Sequence, residues 1–234
     1  TERAGRARGA DGEVTAAREG GVDTVHVFCS TREVQLADSW HASREAAIER
    51  SVAAVERVRE AGVDVMFSPM DATRTAESFL IEVVEAVDAA GVDWVNVPDT
   101  CGVATPRRFG ALVETVAAHT DARVDVHAHD DFGMATANAL AGFEAGAAQA
   151  QVSINGIGER AGNAALEEVV MAAEGVYGVD TGIDTTAIAG LSAQIERASG
   201  VTVPVNKPIV GDNAFAHESG IHAAGVIENT DTFE

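Results

Sequence analysis

The chain has 234 residues, of which 46% are hydrophobic, and this is enough apolar material for one sizeable core. Its formal net charge is -21, from 37 acidic and 16 basic residues, which argues against the clustered Lys and Arg surface that nucleic-acid binding requires. No apolar stretch approaches the ~20 residues needed to span a bilayer, so we expect no nucleic-acid and no membrane partner.

The content of charged residues and cysteines suggests the environment in which the protein works. Lys207 is the only lysine, and so acidic a chain is typical of proteins that stay soluble in concentrated salt, which predicts a halophilic source. The two cysteines, Cys29 and Cys101, lie in apolar runs, predict no disulfide and fit a reducing compartment. No secretory signal precedes the first helix, so we expect a cytoplasmic protein.

A recurring Gly-Val-Asp phrase, at positions 21–23, 62–64 and 91–93, divides the chain into units. Each copy follows a segment of helical period and precedes an apolar or β-branched run, the pattern of a glycine that ends a helix before a strand. The predicted strands are Thr24 to Cys29, Val63 to Ser68, Trp94 to Pro98, Val124 to His129 and Gln149 to Ile154. The predicted helices are Ser43 to Ala61, Thr75 to Ala90, Pro106 to His119, Ala135 to Ala145 and Thr185 to Ser199, with Ser43 as an N-cap.

Alternating strands and helices predict an α/β fold with a parallel sheet, either doubly wound or closed into a (β/α)8 TIM barrel. Polar residues follow the carboxyl ends of successive strands, which favours the barrel, and no glycine fingerprint follows the first strand. Five strands do not close a barrel, so either the first units are absent or the strand count is short, and we expect a chain that lacks the first units. We expect a partial barrel over residues 1–202, followed by a linker and the start of a C-terminal subdomain over 203–234.

The most informative feature is the pair His127 and His129 at the end of a predicted strand. Residues i and i+2 of a strand point to the same face, so both imidazoles should converge while Val124, Val126 and Ala128 face the other way. This arrangement suits a metal ion, although two hydrogen-bonded barrel histidines would give the same pattern.

Four further motifs accompany the His-x-His pair in a fixed order. They are Phe67-Ser68-x-x-Asp71-Ala72-x-Arg74-Thr75, Val97-Pro98-Asp99-Thr100-x-Gly102, the glycine-rich run from Asn155 to Asn163, and the tail from Asn206-Lys207-Pro208 to Gly220-Ile221-His222. Together these motifs cover nearly the whole chain and resemble those of the 2-isopropylmalate synthases and their relatives, the citramalate and homocitrate synthases.

The resemblance implies a metal-dependent acyltransferase on a TIM barrel that condenses acetyl-CoA with a 2-oxo acid, forming 2-isopropylmalate from 2-oxoisovalerate in leucine biosynthesis. It implies a divalent cation (Mn, Mg, Zn or Co) that polarises the ketone. It also implies a homodimer. Carried over residue by residue, it makes His127, His129 and Asn163 the metal site, Ser68, Thr100 and Arg74 substrate-binding, and His222 and Asp71 catalytic.

Three departures from the family pattern carry consequences. The Asp-x-x-x-Arg-Asp-Gly motif that supplies a metal-binding aspartate is absent, which fits a fragment that starts near the third barrel unit. Met70 stands where a catalytic glutamate is expected, and a thioether cannot transfer a proton. Gln35 stands about where a histidine is common.

Alternative functions remain open from the sequence. Pyruvate or 2-oxoglutarate as the oxo acid would make the protein a citramalate or homocitrate synthase. Met70 favours a catalytically impaired paralogue, whereas the retained His127, His129, Asn163 and His222 argue against it. A metal-dependent lyase or aldolase is a third reading, disfavoured by the tail after Val205. We expect Glu159 and Arg160 to form an ion pair that fastens their loop. Asp99 could equally stabilise its own loop or contact the substrate, and Thr100 is the better candidate for that contact.

Overall fold

The computed structural model describes residues 4–7 and 19–229, and these form one parallel sheet with helices packed outside it. The six strands are β1 (Ala4–Ala7), β2 (Thr24–Ser30), β3 (Asp64–Met70), β4 (Trp94–Asp99), β5 (Arg123–Ala128) and β6 (Gln149–Gln151). They pair in chain order, each parallel to the next. This sequential parallel order is the arrangement of a (β/α) barrel.

The helices follow the strands as expected. The main helices are α1 (Arg44–Glu60), α2 (Glu77–Ala89), α3 (Pro106–Ala117), α4 (Ala135–Glu144), α5 (Leu166–Gly175), α6 (Ile188–Ser199) and α7 (Gly220–Glu228). The Ser43 side chain accepts a hydrogen bond from the Ala46 amide, which confirms the predicted N-cap of α1. Thr105 caps α3 in the same way, with Pro106 at the first helical position.

The recurring Gly-Val-Asp phrase ends helices, as the sequence predicts. Gly62 and Gly91 have φ values of 75° and 87°, in the left-handed region that glycine adopts without strain. Asp64 and Asp93, the last residues of these two phrases, lie where the chain enters β3 and β4. The phrase therefore marks the boundary between a helix and the strand that follows it.

Three strands differ from the prediction in existence or by more than one residue at an end, and the other three differ by one residue at one or both ends. The strand Ala4–Ala7 was not predicted, because four residues that include an arginine carry no apolar alternation. β3 continues to Met70, beyond the predicted Ser68. β6 ends at Gln151 rather than Ile154, because Ser153 instead forms an isolated bridge with Ala165.

The core lies between the outer face of the sheet and the helices, and it is built largely from valine. Val124 and Val126 of β5 belong to this core, and Ala128 packs in a smaller alanine-rich cluster with α4 and α5. The outward direction of these three side chains confirms the alternation predicted for β5. The inner face of the sheet carries polar residues. Among the described helices, none combines the length and apolar composition that crossing a bilayer requires.

Candidate active site

A cavity of about 280 Å³ opens at the carboxyl ends of the strands. It is lined by residues from five neighbouring strands and the loops after them: His26, Phe28, Ser68, Met70, Asn96, Pro98, Thr100, His127, His129, Gln151 and Glu159. In a parallel barrel this end carries the binding and catalytic residues. Four predicted site residues, namely Ser68, Thr100, His127 and His129, therefore share one cavity.

The two histidines are close neighbours on β5 and the residue after it. Their ring centroids are 4.8 Å apart and their planes meet at 82°. The backbone of His129 forms an antiparallel bridge with Asn163, which brings the glycine-rich run beside it. Two imidazoles and an amide oxygen are suitable ligands for a first-row divalent cation.

Two buried polar atoms at this point lack a protein partner. The Nδ1 atom of His129 and the Oδ1 atom of Asn163 are inaccessible to solvent and have no hydrogen bond to any described residue. Buried polar atoms are nearly always paired, so such atoms mark a place where a further group belongs. Across residues 4–7 and 19–229, however, no group of three or more His, Cys, Asp or Glu side chains is arranged to hold a metal. The described residues thus fit part of a coordination shell, two histidines and an amide, and do not supply a carboxylate.

The glycine-rich run is shaped around Asn163. A Cβ at Gly158 would lie 2.6 Å from the Asn163 Nδ2 atom, and Gly162, at φ 102°, lies against the carbonyl oxygen of Gly156 too closely for any side chain. The Gly156 carbonyl also accepts a hydrogen bond from the backbone N–H of Asn163. These glycines allow close approach of the backbone.

Below the histidines, a ladder of hydrogen bonds crosses the inner face of the sheet, one residue per strand. His26 Nε2 lies 2.6 Å from Ser68 Oγ, and Ser68 Oγ donates to Asn96 Oδ1 at 2.7 Å. Asn96 Nδ2 donates to Asp125 Oδ2 at 2.6 Å, and Gln151 Nε2 donates to the same oxygen at 2.6 Å. We call these five residues the cavity floor. These hydrogen bonds link the polar side chains of one layer into a continuous network.

Asp125 is the charged member of the cavity floor and is completely buried. Burial raises the pKa of its carboxyl to about 7, although the hydrogen bonds from Gln151 and Asn96 favour the ionised form. None of the cavity-floor residues other than Ser68 was selected from the sequence. Asp125 lies two residues before His127, so strand alternation placed it on the inner face, and this signal was available.

Asp71 and Arg74 lie behind the cavity rather than in it. Asp71 is fully buried at φ 66°, and Arg74 binds both of its carboxylate oxygens, at 2.8 and 2.6 Å. Arg32 approaches the same carboxylate at 3.5 Å, and the Asp71 amide donates to Thr100 Oγ1. Asp71 raises the pKa of the Arg74 guanidinium. The pair therefore ties the ends of β3 and β4 together.

Arg160 and Gln35 make contacts that differ from those expected from the sequence. Arg160 pairs bidentately with Asp131, at 2.7 and 2.8 Å, whereas its contact with Glu159 is longer, at 3.5 Å. The expected Glu159–Arg160 pair is thus the weaker contact, because the loop folds Arg160 back over the end of β5. The guanidinium lowers the pKa of the Asp131 carboxyl. Gln35 accepts a hydrogen bond from Ser30 and does not line the cavity.

Asp99 stabilises its own loop, the first of the two roles considered for it, and it is not among the residues that line the cavity. It accepts hydrogen bonds from Thr73 Oγ1 and from the amides of Val103 and Ala104, at 2.8, 3.2 and 3.0 Å. His222 lies on α7, a helix whose residues are all described and of which none is buried, and it is not among the residues that line the cavity. The structure therefore brings the strand-borne candidates together and leaves His222 on an exposed helix.

The fold and site define a class of protein, a (β/α) barrel with a polar cavity at the carboxyl ends of its strands. A structure of hydroxymethylglutaryl-CoA lyase from Pseudomonas aeruginosa superposes on 87% of this chain and 71% of that chain, with a TM-score of 0.76 and 26% identity.

Residues 4–195 match the HMGL-like family model, and residues 209–234 match a homocitrate synthase post-HMGL domain-like model. The chain belongs to the HMGL-like family. Curated proteins of Methanopyrus kandleri that carry the names probable 2-isopropylmalate synthase, putative (R)-citramalate synthase and homocitrate synthase are 51%, 47% and 46% identical to it. These matches cover 98%, 97% and 97% of this chain and 46%, 45% and 57% of those proteins. The chain thus spans about half the length of the curated relatives it matches.

Proposed function

We propose that this chain carries the oxo-acid and metal-binding part of an acyltransferase that condenses acetyl-CoA with 2-oxoisovalerate to give 2-isopropylmalate. The observation that carries the proposal is the convergence of His127 and His129 on a cavity that also contains Ser68 and Thr100. The similarity to synthases of this type supports it. In the leucine pathway this product precedes the branched-chain amino acid.

The described residues supply part of a metal site and part of a substrate site. His127, His129 and Asn163 would hold a divalent cation, together with a carboxylate from outside the described residues. The cation, when bound, supplies Lewis-acid polarisation of a ketone. Ser68 and Thr100 offer hydroxyl groups to the oxo acid, and Arg74 braces Thr100 through Asp71.

The lining of the cavity supports an oxo acid with an apolar side chain. Its apolar residues include Phe28, Met70 and Pro98, and no lysine or arginine is among the described lining residues. The second carboxylate of 2-oxoglutarate would be buried there without a counter-charge, which is costly. We therefore favour 2-oxoisovalerate over 2-oxoglutarate, with pyruvate as the nearer competitor because it also lacks a second charge.

His222 is the better candidate for proton transfer than Asp71. The Asp71 carboxylate is fully buried and both oxygens are bound by Arg74, so it is not placed to accept a proton from a substrate. His222 lies on an exposed helix and is open to approach. The expected homodimer stays a prediction, and the exposed side chains of Phe215, Ile221 and Ile227 support a further contact surface in this region.

The test uses the full-length protein with a divalent metal, acetyl-CoA and each of the three oxo acids. We expect release of free CoA thiol that is fastest with 2-oxoisovalerate and slowest with 2-oxoglutarate. Thiol release with none of the three would remove the synthase proposal. Fastest release with 2-oxoglutarate would contradict the argument from the cavity lining.

A second candidate function, an impaired paralogue, is favoured by Met70, which lines the cavity at the end of β3. General acid–base catalysis contributes roughly 10²–10⁴-fold, so Met70→Glu should raise thiol release steeply if the methionine is an impairment. Met70→Gln is the matched control, since glutamine has a similar size and cannot transfer a proton at neutral pH. Equal rates for the wild type and both variants would exclude impairment by this residue.

A further inference from the structure

The hydrogen bonds of the cavity floor run in one direction from donor to acceptor, and Asp125 sets that direction. The Oδ2 atom of Asp125 accepts both hydrogen bonds that it makes, whereas the amide groups of Asn96 and Gln151 each have one end that donates and one that accepts. Both amides turn their NH₂ ends to the same Asp125 oxygen, at 2.6 Å each. Their carbonyl ends must therefore point away from Asp125.

The orientation of the two amides fixes the hydrogen bonds of the next residues along the floor, which line the cavity. With its NH₂ group on Asp125, Asn96 presents its carbonyl oxygen to Ser68, whose hydroxyl donates to it at 2.7 Å. This commits the Ser68 hydrogen, so His26 Nε2, 2.6 Å away, meets a lone pair of the Ser68 oxygen and must donate. Gln151 likewise keeps its carbonyl oxygen as the group that it can offer to a ligand.

We infer that Asp125 is a positioning residue, which fixes the donor and acceptor pattern that the oxo-acid cavity presents through Asn96, Ser68 and Gln151. Asp125 itself lies outside the cavity lining and acts through residues that line it. The inference rests on the proposed function for the identity of the ligand. The hydrogen-bond direction itself does not depend on that function.

Burial argues that the role of Asp125 is not to hold the fold together. Its side chain is 0% exposed, and its Oδ1 atom has no hydrogen-bond partner among the described residues. A buried carboxyl that is only partly satisfied destabilises a protein relative to a neutral group of the same shape. Buried polar residues whose hydrogen bonding is incomplete are commonly retained for function.

The test compares Asp125→Leu with Asp125→Asn in the full-length enzyme. Leucine has no oxygen to accept from Asn96 and Gln151, so either amide can turn over and present the wrong end to the cavity or to Ser68. We expect the KM for the oxo acid in Asp125→Leu to rise at least tenfold, with a smaller change in kcat.

Asp125→Asn is the decisive variant. Both amides donate to one oxygen, Oδ2 of Asp125, so the carbonyl oxygen of the new asparagine can take its place and keep both amides in their direction. We expect the KM of Asp125→Asn to stay within about threefold of the wild type, a rescue that needs only the acceptor oxygen. An unchanged KM in Asp125→Leu, or a KM in Asp125→Asn as high as in Asp125→Leu, would overturn the inference.

A remote aspartate provides the control. Asp93 accepts a hydrogen bond from the Val65 amide at 2.9 Å, at the opposite end of the strands, and Asp93→Asn should lower Tm without changing KM. If the wild type turns over no oxo acid, the proposed function fails, and the inference is read by NMR of the side-chain amides. The NH₂ signals of Asn96 and Gln151 should be preserved in Asp125→Asn and displaced in Asp125→Leu, and equal spectra of the two variants would contradict the inference.

Discussion

The cavity floor and the tail, residues 203–229, both carry candidate site residues, but the floor residues are buried and those of the tail are exposed. The floor is built on strands, and Ser68, Asn96 and Asp125 are at most 5% exposed. The tail ends in α7, where no described residue is buried, and Ile227 on that helix is 85% exposed. The difference teaches that the sheet alone pre-organises the cavity, whereas the position of His222 depends on contacts that the barrel does not supply.

An ion-pair anchor, formed by Lys207, Glu167 and Glu168, holds the start of the tail to the barrel. The ammonium group of Lys207 lies 2.6 Å from Glu168 and 3.5 Å from Glu167, both on α5. Glu167 is completely buried and also accepts a hydrogen bond from the amide of Asn155, where the glycine-rich run begins. The only lysine of the chain therefore links the tail to the loop that carries Asn163.

The largest expected effect is in the cavity, on the strand that carries the floor residue Asp125. His127→Ala removes one of two imidazoles and should lower thiol release by about a thousandfold, since a bound cation contributes several kcal/mol. Metal affinity, measured by titration with Mn²⁺, should fall together with activity. His119→Ala is the control, because His119 bonds the Thr115 carbonyl at the end of α3, and it should leave both quantities unchanged. Full activity in His127→Ala would contradict the assigned role.

The next effect compares the stability of the two regions. Leu80 of α2 is 1% exposed in the core, so Leu80→Ala should lower the free energy of unfolding by about 3 kcal/mol. Ile227→Ala in the tail shortens a side chain that already lies in solvent, so it should change the free energy of unfolding by less than about 0.5 kcal/mol. Urea unfolding of the two variants measures both. A large loss in Ile227→Ala would show that α7 is packed in solution.

The smallest expected effect concerns the anchor between the regions. Lys207→Met leaves the buried Glu167 without its counter-charge and should cost about 2 kcal/mol, less than breaking a fully buried pair because the lysine is 15% exposed. Proteolysis of the tail should become faster while the barrel resists. Lys207→Arg keeps the charge and should restore much of the resistance. Equal proteolysis of all three proteins would show that the anchor is not Lys207.

The fold was largely predictable because its signals are local. Glycines at 62 and 91 and the alternation of β5 each depend on a few consecutive residues, and the structure confirms them. The cavity floor was not predictable, because it depends on how neighbouring strands are offset. His26 lies opposite Met66 in the β2–β3 register yet bonds Ser68, a diagonal contact that no single strand encodes.

The site loops show the same limit. The glutamate next to Arg160 in sequence suggested the ion pair, but the stronger partner is Asp131, 29 residues away. Single polar residues inside strands, such as Asn96, look like satisfied core residues until their partners are known. A prediction of polar networks needs the inter-strand register as well as the pattern along each strand.

The most direct test of the central claim is anomalous diffraction from crystals of the full-length protein grown with Mn²⁺. The account predicts one strong anomalous peak in the cavity, within ligand distance of His127 and His129 and beside Asn163, that is lost in His127→Ala. A peak elsewhere, or imidazoles that turn away from an ion bound in the cavity, would contradict it.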